Sequence, residues 1–223
     1  MARLPDFVII GAARCGTTSL HAYLREHPQV FMSSEKETDY FSLGDLPSDE
    51  VPALAAPWRA KTRAEYEAFF RDAGDAHAVG EASPTYLFYP RSAERLRQAI
   101  PDAKLICVLR DPVERAYSHF ALARKMGFET ETDFEAAVAR EDERWRTDRS
   151  MRFTYTRASF YHDGLAEFLA RFPRERILVL RFEDLSADTA GAMRRIHAFV
   201  GVDPDFVADV AVRHNRSMLP KSG

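Results

Sequence analysis

The chain has 223 residues, and its 31 lysines and arginines against 34 aspartates and glutamates give a formal net charge of −3 at pH 7. This balance gives no global electrostatic reason to expect nucleic acid or an anionic membrane as a partner. Two cysteines are too few for a disulfide scaffold, and the longest apolar runs fall short of the ~20 residues that span a bilayer. Because no leader-like pattern precedes Phe7, we expect one soluble, cytoplasmic domain over residues 1–223.

Apolar runs alternate with helical patterns along the chain. Strands are predicted at Phe7–Ile10, near Val30 and Phe31, and at Ala78–Glu81, Lys104–Leu109 and Ile177–Phe182. Helices are predicted at Thr17–His27, Arg63–Asp72, Ser92–Ile100, Pro112–Lys125, Phe134–Trp145, Ser159–Arg171 and Ala187–Val200. Asp111 before Pro112 is expected to be an N-cap, and Thr132 with Glu135 a capping box. The alternation indicates an α/β fold with a single open parallel β-sheet flanked by helices.

The stretch from Gly11 to Thr18, the first anion loop, follows the first predicted strand. Its two glycines allow close backbone approach, the next helix presents N–H groups, and two threonine hydroxyls and Arg14 add donors and a charge. A nucleotide-triphosphate loop would place lysine after its second glycine, where Thr17 stands. The alternative is a glycine-containing turn without a ligand.

Residues 110–118, the second anion segment, follow the strand predicted at Lys104–Leu109. Arg110 leaves the strand end, and Ser118 lies about two turns along the next helix, so both side chains can flank one anion on the same edge of the sheet. The alternative is structural, with Arg110 paired to Asp111 or Glu114 and Ser118 an ordinary helix residue.

These motifs resemble those of sulfotransferases that use 3′-phosphoadenosine 5′-phosphosulfate (PAPS). "GAARCGTTSL" resembles their 5′-phosphosulfate loop and "LRDPVERAYSHF" their 3′-phosphate signature, while "EKETDYF" and "GEASPTYLFYP" resemble segments of the glycosaminoglycan-type and bacterial branch. The similarity continues more weakly through "ASFYHDGLAEFL" and "ILVLRFEDL". The resemblance implies a P-loop-NTPase-like sulfotransferase fold and transfer of a sulfuryl group from PAPS to a hydroxyl or amine of a carbohydrate or small-molecule acceptor, with no metal required.

The resemblance also implies roles for individual residues. Glu37 matches the catalytic base, and Arg14 stands where the family usually has a lysine at the leaving group. Donor contacts are implied for Arg14, Cys15, Gly16, Thr17, Thr18, Ser19, Arg110 and Ser118. Acceptor contacts are implied for Lys36, Tyr40 and Glu81. Lys36 is expected either to contact the donor or to interact with Glu37, and Ala82 stands where the heparan-modifying branch often has lysine.

Other readings of the chain stay open. A histidine-dependent member would use His77 or His119 as its base. A P-loop kinase would need a lysine after Gly16 and a strand-end carboxylate for Mg²⁺, and a non-catalytic nucleotide-binding module would keep both anion sites without needing Glu37. The sequence determines neither the acceptor nor the oligomeric state.

Three further features carry weaker expectations. Cys15, near a cation and a helix N-terminus, is expected to have a lowered pKa and a reactive thiol. Six arginines between Arg140 and Arg157 alternate with acidic residues, which favours a salt-bridged surface over an anion-binding patch. The final residues, "RHNRSMLPKSG", resemble a family segment that leads into further helices, so the chain is either truncated relative to the family or a compact member of it.

Overall fold

The computed structural model describes residues 3–47, 50–52 and 59–209, and within them an open sheet of five parallel strands forms the centre of the fold. The strand order is β2-β3-β1-β4-β5. The strands are β1 (Phe7–Gly11), β2 (Val30–Met32), β3 (Ala78–Ala82), β4 (Lys104–Leu109) and β5 (Ile177–Arg181). The predicted open parallel α/β sheet is confirmed. The expectation about Arg213–Gly223 lies outside the described residues.

Helices cover the sheet and connect its strands. They are α1 (Thr17–Glu26), α2 (Tyr40–Leu43), α3 (Arg63–Ala68), α4 (Ser92–Ala99), α5 (Pro112–Lys125), α6 (Phe134–Ala139), α7 (Glu141–Thr147), α8 (Tyr161–Leu169), α9 (Phe182–Ala187) and α10 (Thr189–Val200). Single 3₁₀ turns occur at Met151–Phe153, Arg157–Ser159 and Arg174–Arg176.

Strand β1 is the centre of the core, and all five of its residues are buried. It pairs in parallel with β3 on one side and β4 on the other, with Phe7 opposite both Gly80 and Lys104. A strand covered on both faces by helices needs a continuous apolar run, as FVIIG provides. A Cβ atom on Gly80 would lie 2.1 Å from Phe7 Cζ, so glycine is required for this close packing.

The helix predicted at Phe134–Trp145 is divided, because α6 and α7 meet at Arg140, which caps both. The predicted capping box of Thr132 with Glu135 is wrong. Asp133 is the N-cap instead, and its carboxylate accepts a hydrogen bond of 2.8 Å from the Ala136 N–H group. An aspartate one residue later is the stronger cap because its charge also favours the positive end of the helix dipole.

Other helix starts also differ from expectation. The helix predicted from Ala187 begins at Thr189, with the Asp188 carboxylate capping its first turn, and α9 precedes it. The cap of α5 is as predicted: Asp111 accepts from the N–H groups of Val113 and Glu114, with Pro112 in the first turn. This cap fixes the direction in which α5 leaves the end of β4.

The arginine-rich segment is partly salt-bridged, in agreement with its alternating charges. Arg140 pairs with Glu131 at 2.7 Å, Arg144 pairs with the buried Glu129, and Arg157 pairs with Asp142 at 2.6 Å. Tyr155 donates a further hydrogen bond of 2.6 Å to the Glu129 carboxylate. These contacts surround a second, smaller hydrophobic cluster formed by Ala116, Phe120, Ala123, Ala137 and Tyr155.

Candidate active site

Three neighbouring strands, β3, β1 and β4, end at one edge of the sheet, where ligands of open α/β folds bind. The loop after β1 contains the first anion loop, and the second anion segment follows β4. The segment after β3 contacts residues 36–39, which we call the base loop, through several hydrogen bonds. The residues singled out by the sequence motifs are thus brought to this edge from separate parts of the chain.

The first anion loop turns sharply into α1 at Gly16. This residue has a φ of 84°, and a Cβ atom there would lie 3.1 Å from the Phe182 ring. Both observations require glycine, because a side chain would be strained and crowded. Helix α1 starts at Thr17 without a side-chain cap, so its first turn presents N–H groups and the positive end of the helix dipole to the loop.

Arg14 connects the two anion-binding motifs. Its Nε and one terminal nitrogen donate to Ser118 Oγ at 3.2 and 3.1 Å. Arg110 pairs with Glu114 at 3.1 Å, as the structural alternative expected, and its guanidinium lies 4.9 Å from the centre of the Phe182 ring. Two segments separated by about a hundred residues therefore place their polar side chains in one location.

Positive charge accumulates at this location. Burial and the neighbouring Arg110 lower the pKa of Arg14, while Cys15 and Glu37 act in the opposite direction. Burial also lowers the pKa of Arg115, and Arg14 adds to that effect. Arginines that lower each other's pKa form a cluster in which a bound anion relieves mutual repulsion.

Arg115, which the motifs did not single out, is fully buried in α5. Its Nε donates to Ser159 Oγ at 2.6 Å, and one terminal nitrogen donates to the carbonyls of Thr154 and Tyr155. The other terminal nitrogen is buried and has no hydrogen-bond partner among the described residues. A buried arginine is costly unless its charge is compensated, so its place behind the cluster is a further sign of an anion site.

Glu37 lies in the base loop at the same edge of the sheet. Its φ is 64°, its backbone N–H donates to the Ala82 carbonyl at 2.9 Å, and its side chain is 39% exposed. Lys36 donates to its carboxylate. Because Glu37 acts on the pKa of Arg14, the proposed base and the proposed leaving-group cation lie within electrostatic range of each other.

The sequence matches the model of a family described as "Sulfotransferase family" over residues 5–206. The chain belongs to the sulfotransferase family. A solved sulfotransferase from Alicyclobacillus acidocaldarius has a TM-score of 0.87 and 35% sequence identity, with 96% of this chain and 87% of that chain covered. A mouse sulfotransferase, SULT7A1, complexed with PAP, has a TM-score of 0.55 and 16% identity over 93% of this chain and 61% of its own, a likeness that shows the fold alone.

A human relative, bifunctional heparan sulfate N-deacetylase/N-sulfotransferase 2, is 27% identical over 206 residues. The match covers 91% of this chain and 22% of that protein. The chain spans less than a quarter of the length of the first curated relatives that it matches. Family membership removes the kinase alternative, in agreement with Thr17 and Arg110 at the two positions that a kinase would fill differently.

Two residues assigned to acceptor contacts are placed differently from what the sulfotransferase motifs suggested. Glu81 is fully buried at the end of β3, and Tyr40 is buried against Tyr66, with ring centres 4.7 Å apart and its hydroxyl donating to Asp45. Neither side chain is exposed to an acceptor. Lys36, in contrast, pairs with Glu37 and keeps 18% of its side chain exposed.

The expectation of a reactive Cys15 is wrong. The thiol is fully buried, and burial raises its pKa to about 11. Its sulfur lies 3.9 Å from the Tyr161 hydroxyl, which itself donates to the Arg110 carbonyl at 3.0 Å. The helix N-terminus and nearby arginines do not offset the loss of water, so this thiol packs the loop rather than reacting.

The two histidine candidates of the alternative mechanism do not lie beside Glu37. His77 is exposed and precedes Ala78, the first residue of β3, so it lies at the opposite edge of the sheet, on a groove of about 470 Å³. His119 is half-buried in α5, and desolvation, Arg115 and Arg14 hold its pKa well below the usual range. Neither position suits a base for an acceptor at the carboxyl edge.

Asp39 is a second residue of this site, after Arg115, that the motifs did not single out. It is 5% exposed and has a φ of 51°, and its carboxylate accepts 2.7 Å from Thr85 Oγ1. Burial raises its pKa to about 7, and the neighbouring Glu37 and Glu81 add to the effect. Its position two residues after Glu37 could have indicated that Asp39 belongs to the site, but the burial of a loop carboxylate cannot be recognised from sequence.

Two features are absent from the ranges that the structure describes. No group of three or more His, Cys, Asp and Glu side chains is arranged to hold a metal ion in that part of the chain. None of the helices found there has the length and apolarity needed to cross a bilayer.

Proposed function

We propose that this sulfotransferase moves a sulfuryl group from PAPS to a hydroxyl or amine of a carbohydrate or small-molecule acceptor. The observation that carries the proposal is the contact of Arg14 with Ser118, which joins the 5′-phosphosulfate motif to the 3′-phosphate motif. The fit is supported by the excess of arginine around this contact and by the buried terminal nitrogen of Arg115. A solved neighbour was complexed with PAP, and the human relative is a heparan sulfate N-sulfotransferase by its description.

The donor side is divided between two phosphate positions. The backbone and side chains of residues 14–19 hold the 5′-phosphosulfate at the start of α1, and Arg110 with Ser118 holds the 3′-phosphate. Arg14 contributes a permanent charge to the oxygen that bridges sulfur and phosphorus. Because an arginine stays protonated, it stabilises the departing phosphate electrostatically and does not protonate it.

The acceptor side supplies the proton acceptor. The Glu37 carboxylate removes the proton from the attacking hydroxyl or amine as the new bond to sulfur forms. The bond between sulfur and the bridging oxygen breaks with its electron pair passing to the phosphate beside Arg14. Positioning and charge stabilisation then account for the catalysis, as they do in phosphoryl transfer.

Ligand-dependent melting tests the donor assignment. Adenosine 3′,5′-bisphosphate at about 100 times its Kd adds about 2.7 kcal/mol to the free energy of unfolding. For a protein of this size that corresponds to an increase in Tm of about 5–11 °C. ATP with Mg²⁺ is the matched control and is expected to shift Tm much less. Equal shifts from both nucleotides would contradict the proposal, and transfer of labelled sulfate to an acceptor then separates an enzyme from a non-catalytic module.

A further inference from the structure

Glu81 is a buried carboxylate whose two oxygens are both occupied by hydroxyl groups. Oε2 accepts from Thr38 Oγ1 at 2.7 Å and from Ser83 Oγ at 3.1 Å. Oε1 accepts from Tyr66 at 2.9 Å and from Tyr86 at 3.0 Å. In the described part of the chain, no lysine or arginine forms an ion pair with Glu81. Its lone pairs are therefore used inside the protein, which leaves no capacity to bind an acceptor.

The same segment fastens the base loop at consecutive positions. The Glu37 N–H group donates to the Ala82 carbonyl at 2.9 Å, and the Asp39 N–H group donates to Ser83 Oγ at 3.2 Å. Between them, the Thr38 side chain points inward to Glu81. Three successive residues of the loop are thus attached to three successive residues at the end of β3.

The backbone of the base loop needs such an attachment. Glu37 and Asp39 have φ values of 64° and 51°, in the left-handed region that side-chain-bearing residues rarely adopt. Strained conformations of this kind persist only where surrounding contacts determine them. Thr38, between the two, is fully buried, and its hydroxyl also lies 3.1 Å from the Tyr86 hydroxyl.

We propose that Glu81 and Thr38 form a clamp that positions Glu37 for proton transfer, and that neither residue contacts the acceptor. The inference rests on the proposed role of Glu37 as the base. Glu81 belongs to β3, a strand within the sheet, and the short hydrogen bond that it accepts from Thr38 holds the base loop against the end of that strand. Glu81 and Thr38 are positioning residues.

The test compares Thr38→Val with Tyr66→Phe. Each variant keeps its side-chain shape and removes one hydroxyl from Glu81, but only Thr38 belongs to the base loop. We expect Thr38→Val to lower kcat about 10- to 100-fold, because a displaced catalytic group can lose that much, with the Kd for adenosine 3′,5′-bisphosphate unchanged. Tyr66→Phe is expected to keep kcat within about twofold of the wild type, and Thr38→Ser, which retains the hydroxyl, to restore turnover.

A double substitution tests whether the clamp acts through the base. In a Glu37→Gln background, Thr38→Val is expected to cause no further loss of kcat, because the group that it positions is already inactive. A full additional loss in that background, or equal kcat values for Thr38→Val and Tyr66→Phe, would overturn the inference.

Amide hydrogen exchange provides a readout independent of activity. The N–H groups of Glu37 and Asp39 are expected to exchange at least about 10-fold faster in Thr38→Val than in Tyr66→Phe. Equal exchange in the two variants would overturn the clamp. If the wild type transfers no sulfate and does not bind the bisphosphate, the proposed function fails while the exchange comparison still decides the clamp. Should Thr38→Val not fold, Thr38→Ala is compared in the same way.

Discussion

The proposed donor side and acceptor side of this site place opposite charges at one edge of the sheet. The two sides differ in whether the charged groups have partners within the protein. On the donor side, Arg14, Arg110 and Arg115 lie close enough for burial and mutual repulsion to lower the pKa of Arg14 and Arg115. On the acceptor side, the buried carboxylates of Asp39 and Glu81 are held by hydroxyl groups from neighbouring elements.

The difference means that a bound ligand is expected to stabilise the donor side but is not required to hold the acceptor side in place. The buried arginine cluster gains stability when an anion arrives, so substitutions there should change donor affinity. The buried carboxylates already have partners, so the acceptor side keeps its geometry without a ligand. Substitutions at Glu37 should therefore change the chemical step while donor affinity stays the same.

The largest expected effect comes from the exposed carboxylate of the acceptor side. Glu37→Gln keeps the side-chain shape and removes the proton acceptor, so turnover on an alcohol acceptor is expected to fall by about 10² to 10⁴. The Kd for adenosine 3′,5′-bisphosphate, measured by calorimetry, is expected to be unchanged. Glu35→Gln, at an exposed position two residues earlier, is the matched control.

The pH profile gives a second measurement on the same variant. A general base gives the rate of the wild type an acid limb, and that limb should be absent in Glu37→Gln, whose amide cannot accept the proton. Near-full activity of Glu37→Gln together with loss of activity in His77→Ala or His119→Ala would instead support the histidine-dependent alternative.

The next effect in size comes from the donor side and should alter both affinity and turnover. Arg14→Ala removes the charge at the bridging oxygen, and loss of one such stabilising donor lowers kcat by about 10²- to 10³-fold. The Kd for the bisphosphate should also increase, because Arg14 contributes to the anion site. Arg25→Ala, on the exposed last turn of α1, controls for the loss of one positive charge. Unchanged kcat together with unchanged affinity would place Arg14 outside the donor site.

A smaller and more selective effect is expected at the second anion segment. Arg110→Ala should weaken binding of adenosine 3′,5′-bisphosphate by about 10- to 150-fold, the value of a charged hydrogen bond of about 1.5–3 kcal/mol, and leave adenosine 5′-phosphate almost unchanged. Ser118→Ala should be less selective, because Ser118 also accepts hydrogen bonds from Arg14. Equal losses for both nucleotides in Arg110→Ala would remove it from the 3′-phosphate position. Glu114→Gln, which removes the exposed ion-pair partner of Arg110, is the control.

The sheet, and the placement of the two anion-loop motifs at one edge of it, were predictable because their signals are local. Continuous apolar runs such as FVIIG predict buried parallel strands, and polar or glycine residues directly after them predict a ligand edge. The clamp was not predictable, since nothing near Thr38 indicates that its hydroxyl meets a carboxylate 43 residues away. The resemblance to the sulfotransferase motifs assigned Glu81 to the acceptor, and a motif does not show that the side chain at a strand end is buried.

Burial explains the wrong prediction about Cys15 but not the wrong prediction about the cap of α6. For Cys15, the sequence shows the neighbouring charge but not the exclusion of water, and the second effect is larger. For α6, burial has no part, because two adjacent residues, Thr132 and Asp133, are both competent caps. Asp133 is the cap that forms, and its charge beside the positive end of the helix dipole makes it the stronger of the two.

The smallest predicted effect concerns the buried carboxyl group of Asp39 and measures stability. Burial, with Glu37 and Glu81 nearby, raises its pKa to about 7 from an unfolded value of 3.8, while Thr85 and Lys36 act in the opposite direction. The folded protein therefore binds a proton that the unfolded chain does not between these pH values, and ionised Asp39 lowers stability above pH 7. Asp39→Asn keeps the shape and tolerates the left-handed backbone.

Asp39→Asn is expected to melt at least about 2–4 °C above the wild type at pH 8.5, the shift for about 1 kcal/mol, and the difference should shrink as the pH falls from 7 toward 4. The buried His21 and His197, with pKa values lowered to about 4, make both proteins less stable over the acid part of this range. Their contribution cancels because the comparison is between variant and wild type at each pH. Asp72→Asn, at an exposed position, is the control. A difference that does not vary with pH would show that Asp39 is ionised in the folded protein throughout, and the acceptor side would then resemble the donor side in holding an uncompensated charge.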